Sequence, residues 1–307
     1  MSAMRGFFLA CSESAWLKDR ATRLWFVRRT VSRFMPGETA DAALAAAVEM
    51  REQSIGAVFT RLGENVKDRE EAERVTQHYL ELLDSIQSVG LAAELSIKLT
   101  QFGLDLDRAM CARNLERIIE HAGPKTMVWI DMEASQYVDV TLDLYRRART
   151  AFPNVGVCLQ AYLYRTARDL ASMIPLGPAI RLVKGAYSEP PDRAFARKRA
   201  VDENYFALAK TLLSPGARAA GIRAAMATHD RGLIRRITEF AEANQIEKGC
   251  LEFQMLYGIQ RREQVRLAHA GYNIRILISY GDYWFPWFMR RLGERPANAL
   301  FVIRNLV

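Results

Sequence analysis

Polar and charged side chains stand at the ends of several short apolar runs in this chain. They are Lys98, Asp131, Glu133, Gln160, Arg181, Lys184, Thr228 and His229. Any one of them alone is explained as a solvated boundary residue, because burying an unpaired charge is costly. Gathered around one cleft, the cations would suit a phosphate-bearing cofactor together with a carboxylate substrate, with Asp131 as counter-charge.

Two of these positions also have purely structural interpretations. His229, in Ala-Thr-His-Asp, is compatible with a hydrogen-bonded structural histidine. Gly185 and Ala186 follow Lys184 directly and fit a tight strand-to-helix turn. The same small residues would let the backbone approach a flat ligand or a phosphate closely, so both interpretations stay open.

A second candidate site lies near the end of the sequence, where Arg290 and Arg291 precede Glu294. On a helix the carboxylate lies three and four residues beyond the arginines and can orient both guanidinium groups, which then bind a carboxylate in bidentate fashion. An exposed Arg–Glu pair of little energetic value is the alternative. The aromatic run 283–288 just before it can exclude water and strengthen an ion pair, which favours a carboxylate-binding site.

Alternating apolar and amphipathic segments indicate what positions these residues. Apolar runs occur near 55–62, 93–99, 126–132, 155–162, 179–186, 222–228, 251–257 and 273–280, separated by stretches of helical periodicity. Eight strands joined by helical crossovers must run parallel, and a (β/α)8 barrel of the TIM type closes them without leaving an edge. Active sites of such barrels lie at the carboxyl ends of the strands. A doubly wound open sheet is the alternative, although neither a GxGxxG nor a Walker motif is present.

The chain divides into two predicted regions. Residues 1–54 form a helical lead-in, with one helix over Ser12–Arg33 and an alanine-rich helix after Pro36–Thr39. Residues 55–307 form the barrel and the catalytic domain. A chain of 307 residues that is 50% hydrophobic can bury such a core as one unit.

Composition limits the cellular compartment and the kind of cofactor that can be expected. With neither an apolar run of membrane-spanning length nor a signal peptide, we expect a cytoplasmic protein. Four scattered cysteines without a CxxC pair, and four histidines, argue against disulfides and a metal site, so an organic cofactor is expected. The formal charge of +8 is spread along the chain, and no basic stripe interleaved with aromatic residues indicates nucleic-acid binding.

The chain resembles the proline dehydrogenase family, in particular its short, single-function bacterial form. The resemblance covers most of the sequence and is carried by Ser96–Asp105, Ile130–Glu133, Leu159–Tyr162, Arg181–Tyr187, Ala227–Asp230, Glu252–Gly258 and Arg290–Glu294. It implies a distorted (β/α)8 barrel with N-terminal helices that holds FAD non-covalently. It also implies oxidation of L-proline to 1-pyrroline-5-carboxylate in proline catabolism, transfer of electrons to a membrane quinone, and peripheral contact with the inner face of the membrane.

The resemblance also implies roles for individual residues. Asp131 and Arg181 would be the catalytic pair, with Arg181 beside the reactive N5 edge of the flavin. The other implied flavin contacts are Met132, Gln160, Val183, Lys184, Gly185, Ala186, Lys198, Thr228 and His229. The implied substrate contacts are Lys98, Tyr187, Leu256, Leu277, Arg290, Arg291 and Glu294.

One position departs from the family pattern. Where the family has tyrosine in an Arg-x-Tyr-x-Pro-x-Gly strand, this chain has Leu277, and Ser279 replaces the proline. Because that tyrosine closes the pocket over the proline ring, leucine leaves 4-hydroxyproline or another cyclic imino acid as an alternative substrate. From a different class of function, a catalytically silent barrel that binds an anionic metabolite or nucleic acid is the second hypothesis.

Overall fold

A computed structural model describes residues 31–285, and in this part of the chain eight parallel strands close into a barrel. Each strand pairs with the next, and the eighth pairs with the first over six residues, Gly56 to Arg61 against Arg275 to Tyr280. This excludes the open sheet. The strands are β1 Gly56–Arg61, β2 Ala93–Ile97, β3 Val128–Ile130, β4 Val155–Gln160, β5 Ala179–Val183, β6 Arg223–Ala227, β7 Leu251–Leu256 and β8 Asn273–Tyr280.

Helices connect the strands on the outside of the barrel. In the described range they are α1 Ala40–Arg51, α2 Arg69–Ser88, α3 Arg108–Ala122, α4 Val138–Ala151, α5 Thr166–Met173, α6 Lys198–Leu212, α7 Pro215–Ala219, α8 Arg231–Ala243 and α9 Arg261–His269. Their amphipathic faces bury apolar side chains against the outward-facing residues of the strands. Asp68 and Asp107 cap α2 and α3, with side chains that accept hydrogen bonds from backbone N–H groups of the first turn.

The sequence-based strand predictions are confirmed, because every predicted apolar run contains one observed strand. Several runs extend past the carboxyl end of their strand, as at residues 98–99, 161–162 and 184–186. These residues belong to the connections beyond the strands, where the predicted site residues cluster. The alternation of apolar and helical segments thus predicted every strand but not the residue at which each strand ends.

One helix, α1, precedes the barrel in the described range. Thr39 caps it, because its Oγ1 accepts a hydrogen bond from Ala42 N at 3.2 Å. The predicted helix over Ser12–Arg33 lies almost wholly outside the described residues. The segment just ahead of α1 contacts the connection after β7, since a Cβ added to Gly258 would lie 1.4 Å from the carbonyl oxygen of Arg33. No helix among residues 31–285 is long and apolar enough to cross a bilayer.

Alternation along the strands sends every second side chain into the interior of the barrel, here called the lumen. Trp129 is the largest of them, and it packs there with Val58, Ala179 and Ala225. Small neighbours make room for the indole: a Cβ on Gly156 would lie 2.5 Å from the Trp129 ring. The lumen is therefore a packed core, above which the carboxyl ends of the strands form a mouth.

Candidate active site

The guanidinium of Arg181 lies at the centre of the barrel mouth, with its side chain only 4% exposed. Its Nη1 donates to Asp131 Oδ1 at 2.8 Å and to Ser96 Oγ at 2.5 Å, and its Nε donates to Gln254 Oε1 at 2.6 Å. Ser96 Oγ in turn donates to Asp131 Oδ1 at 2.7 Å. The predicted pair of Arg181 and Asp131 is thus brought together, on β5 and just beyond β3.

A buried ion pair is stable only when hydrogen bonds compensate for the water that both charges lose. This compensation is incomplete for Arg181, because its Nη2 has no hydrogen-bond partner within residues 31–285. In the same part of the chain Gln160 Oε1 also lacks a partner. The amide nitrogen of Gln160 donates to the carbonyl oxygens of Met132 and Glu133, both at 3.1 Å. Unsatisfied buried polar atoms are rare and cost about 1 to 3 kcal/mol each. One donor and one acceptor at the mouth therefore indicate a ligand with complementary polar atoms.

Two predicted cofactor-binding cations, Lys184 and Lys198, form a compact cluster with two aspartates. Lys184 Nζ donates to Asp202 at 2.5 Å and to Asp230 at 2.8 Å, while Lys198 Nζ bonds Asp202 and, at 2.9 Å, Asp230. The hydrogen bonds that Lys198 donates to Asp202 and Asp230 raise its pKa. Burial alone would raise the pKa of Asp230, but the two lysines lower it well below its usual range. Two carboxylates therefore balance the two lysines in this cluster.

Like the two lysines, His229 has polar contacts within the fold. The N–H of Leu256 donates to His229 Nε2 at 2.8 Å, so that nitrogen carries no proton in this arrangement and the ring is neutral. Thr228 Oγ1 accepts a hydrogen bond from Asp230 N at 3.2 Å. These bonds hold the connection after β6 against the end of β7, which gives His229 the structural function that its sequence context left open.

The predicted substrate-side residues within the described range lie around the same mouth. Leu277 packs in the lumen against the cluster containing Trp129 and is the registered neighbour of Leu256 across β7 and β8. Tyr187 Oη donates to Glu64 Oε1 at 3.4 Å. Lys98 follows β2 directly, is half-buried, and makes no ion pair with any of residues 31–285. Its charge is therefore available near the mouth.

The remaining predicted flavin contacts continue from β3 and β5. Met132 is buried, Val183 is half-buried and Ala186 is exposed. Gly185 has φ of +113°, and a Cβ there would lie 2.1 Å from the Tyr162 ring. Glycine is therefore required by the turn itself, in agreement with its structural interpretation. Arg290, Arg291 and Glu294 lie outside the described residues.

Sequence reasoning missed three residues that surround Arg181. Ser96, Trp129 and Gln254 each precede a predicted mouth residue by two positions, namely Lys98, Asp131 and Leu256. The Arg181 guanidinium carbon lies 4.8 Å from the Trp129 ring centroid, a cation–π distance. Because strand side chains repeat every two residues, stepping back by two from each predicted residue would have found all three.

Comparison with known proteins gives concordant matches. The family model described as proline dehydrogenase matches residues 43–304. A proline dehydrogenase 2 from Bacillus subtilis subsp. natto is 36% identical over 308 residues, covering 100% of this chain and 99% of that protein. A proline dehydrogenase from Deinococcus radiodurans is 36% identical over 284 residues, covering 90% of this chain and 89% of that protein.

A solved structure shows a similar fold at lower identity. Proline utilization A from Bdellovibrio bacteriovorus, inactivated by N-propargylglycine, superposes with a TM-score of 0.79 at 24% identity, over 87% of this chain and 32% of that chain. The present chain therefore matches about one third of the longer protein but nearly the full length of the Bacillus relatives. The resemblance to the short form of the family is confirmed.

Glu133 is an additional buried carboxyl group at this end of the barrel. It is 3% exposed and accepts hydrogen bonds from Thr100 N at 3.1 Å and Thr100 Oγ1 at 2.6 Å. Burial raises its pKa from 4.5 to about 7, against the opposing effects of the Thr100 hydroxyl and of Lys98. The folded protein therefore keeps a proton on this group at pH values where the unfolded chain has lost it.

We expect the free energy of unfolding to reflect this group between pH 4.5 and 7. Because the folded pKa is the higher one, stability falls as pH rises through this window. Glu133→Gln removes this titration. The free energy of unfolding of the variant minus that of the parent protein should therefore be larger at pH 8 than at pH 5, by on the order of 2 kcal/mol. Denaturant unfolding at both pH values measures this. Glu120→Gln, on an exposed side chain, is the control, and equal pH dependence in both variants would contradict the assignment.

Proposed function

Because the chain belongs to the proline dehydrogenase family, we propose that it is an FAD-dependent enzyme that oxidises L-proline to 1-pyrroline-5-carboxylate and passes the electrons to a quinone. The observation that carries the proposal is the buried Arg181 at the mouth of the barrel, paired with Asp131 and left with one unbonded nitrogen among the described residues. Active sites of (β/α)8 barrels lie at this end of the strands.

The residues at the mouth fit a flavin. A flavin ring offers both hydrogen-bond acceptors and an N–H donor, which complement Arg181 Nη2 and Gln160 Oε1. Lys184 and Lys198 supply charge for the phosphates, and Met132, Val183, Gly185, Ala186, Thr228 and His229 complete the proposed binding set. When bound, FAD accepts the hydride, and the protein supplies binding, orientation and electrostatics.

The substrate side is proposed to hold proline by its two charged groups. Arg290 and Arg291, oriented by Glu294, would bind the carboxylate in bidentate fashion, and Tyr187 and Leu256 would line the ring. Lys98, which makes no ion pair with any of residues 31–285, acts on the amine, because a nearby positive charge disfavours the protonated form. A neutral amine is what hydride loss from the adjacent carbon requires, so Lys98 favours the reactive state of the substrate.

The proposal extends to the organisation and surroundings of the protein. Residues 1–54 form the helical lead-in and residues 55–307 the flavin-binding catalytic domain, in keeping with α1 ahead of β1. A quinone acceptor resides in the bilayer, so the protein contacts the inner face of the membrane peripherally. The formal charge of +8 supports attraction to anionic lipid.

Anaerobic reduction by proline tests the proposed reaction. The protein, loaded with FAD and freed of excess, is expected to show flavin absorbance that L-proline bleaches and D-proline does not, because the bound carboxylate fixes which hydrogen faces the ring. Reoxidation by a soluble quinone analogue then tests the acceptor. Colourless protein that FAD cannot reconstitute would overturn the cofactor, and flavin that cyclic imino acids leave oxidised would overturn the reaction.

Leu277 supports a second candidate substrate, 4-hydroxyproline. The side chain faces the lumen and packs against the apolar cluster around Trp129, whereas the family tyrosine would be larger and would narrow the space over the ring. Leucine therefore leaves room for a ring substituent.

We expect Leu277→Tyr to raise the ratio of kcat/KM for L-proline over 4-hydroxyproline by about tenfold or more, since filling a pocket by a few atoms has effects of this size. Steady-state kinetics with both substrates gives the ratio. Ile276→Leu, next in the chain but buried in the outer core, is the matched control. A ratio that Leu277→Tyr does not move would remove Leu277 from the ring pocket.

A further inference from the structure

We propose that Gln254 is a positioning residue that fixes the guanidinium plane of Arg181 by tying it to a buried ion cluster in the lower part of the lumen. The inference rests on the proposed function in one respect, namely that Arg181 acts on a bound flavin. The geometry that carries it belongs entirely to residues 31–285 and involves β2, β3, β5, β6, β7 and β8.

The guanidinium of Arg181 forms hydrogen bonds along two of its edges. Nη1 is held by Asp131 and Ser96, and Nε is held by Gln254 Oε1 at 2.6 Å. A planar group bonded at Nη1 alone can still rotate about that contact, whereas a second bond at Nε sets the plane. The direction of the unbonded Nη2 is then determined as well.

The Gln254 amide can adopt only one orientation in this environment. Its Nε2 donates to Glu252 Oε1 at 2.5 Å. A reversed amide would place its NH2 group against the N–H of Arg181 Nε and its oxygen against the Glu252 carboxylate, so both contacts would be repulsive. Glu252 therefore selects the orientation in which Gln254 presents an oxygen to Arg181.

Glu252 is itself immobilised by a floor cluster, defined here as Glu94, Arg223, Glu252 and Arg275. Arg223 Nη2 donates to Glu252 Oε2 at 2.6 Å, and Arg223 Nη1 pairs with Glu94 Oε1 at 2.7 Å. Arg275 Nε lies 3.2 Å from Glu94 and 3.3 Å from Glu252. Two carboxylates and two guanidinium groups balance in charge.

Trp129 connects the floor cluster to Arg181 by a second route. Its indole Nε1 donates to Glu94 Oε2 at 2.7 Å, and its ring lies 5.2 Å from the Arg223 guanidinium carbon and 4.8 Å from that of Arg181. The ring supports the guanidinium but forms no hydrogen bond with its nitrogens. Gln254 is thus the contact that transmits the rigidity of the floor cluster to Nε.

Rigid placement of this cation matters because preorganised charge needs no reorganisation as electron density builds on the flavin. Gln254→Met retains similar volume but removes both polar contacts. In the FAD-loaded enzyme, we expect the rate constant for flavin reduction at saturating L-proline to fall about tenfold while KM changes by less than about threefold. We also expect the two-electron redox equilibrium with a reference dye to shift about tenfold toward oxidised flavin, or about 30 mV.

Tyr205→Phe is the matched structural control. It removes one buried hydrogen bond, from Tyr205 Oη to the carbonyl of Leu182 at 2.9 Å on the same strand as Arg181, without touching the guanidinium. We expect it to keep the parental reduction rate and redox equilibrium. Gln254→Asn, which keeps an amide but withdraws the oxygen from Nε, should reproduce the loss and serves if the methionine variant does not fold.

The outcomes separate the two proposals. If L-proline does not reduce the flavin of the parental enzyme, the proposed function fails. If the parental flavin is reduced and the Gln254 variants match it in reduction rate and redox equilibrium, the positioning inference is overturned. Equal losses in Tyr205→Phe would also overturn it, since they would reflect general loosening of the barrel.

Discussion

The ion pair between buried Arg181 and partly buried Asp131 is the constraint on which the rest of the site depends. A guanidinium that is 4% exposed must recover in hydrogen bonds what it loses in hydration. Ser96 on β2 and Gln254 on β7 provide part of that compensation from across the lumen. The arrangement requires a closed barrel, because only closure brings inward-facing residues of β2, β5 and β7 and the end of β3 to one point.

Below this pair the lumen combines apolar and ionic layers. Trp129 occupies space that Gly156 leaves open, and the floor cluster neutralises its own charges beneath the indole. Breaking such a cluster by removing one partner would be far more costly than any single surface ion pair, because an uncompensated charge would stay buried. The lower lumen therefore acts as a rigid base for the mouth.

Much of this could be predicted from the sequence. Apolar runs separated by helical periodicity gave all eight strands and the parallel barrel, and polar residues at the run ends gave Asp131 and Arg181. They also gave Gln160, whose oxygen is unbonded within the described residues, and the resemblance implied its contact with a flavin. Each of these features involves residues that are close together in the sequence, so it can be recognised from periodicity and position alone.

Partner choice could not be predicted in the same way. Lys184 and Lys198 were predicted as cofactor contacts, but not their partners. Asp202 and Asp230 come from α6 and from the turn before α8, which only the folded chain brings together. The neutral state of His229 depends on a backbone N–H of β7. A different reason explains why Ser96, Trp129 and Gln254 were missed. Each lies two residues before a predicted mouth residue, inside the strand, and only polar residues at the strand ends were considered in the sequence.

The central claim is that the buried charge of Arg181 acts on a bound flavin. The most direct test is the midpoint potential of bound FAD in the parental protein, in Arg181→Lys and in Arg181→Met. Removing a positive charge beside the ring destabilises the electron-rich reduced state. We therefore predict a lower potential in Arg181→Met and a value nearer the parent in Arg181→Lys. Identical potentials in all three proteins, each with FAD bound, would contradict the account.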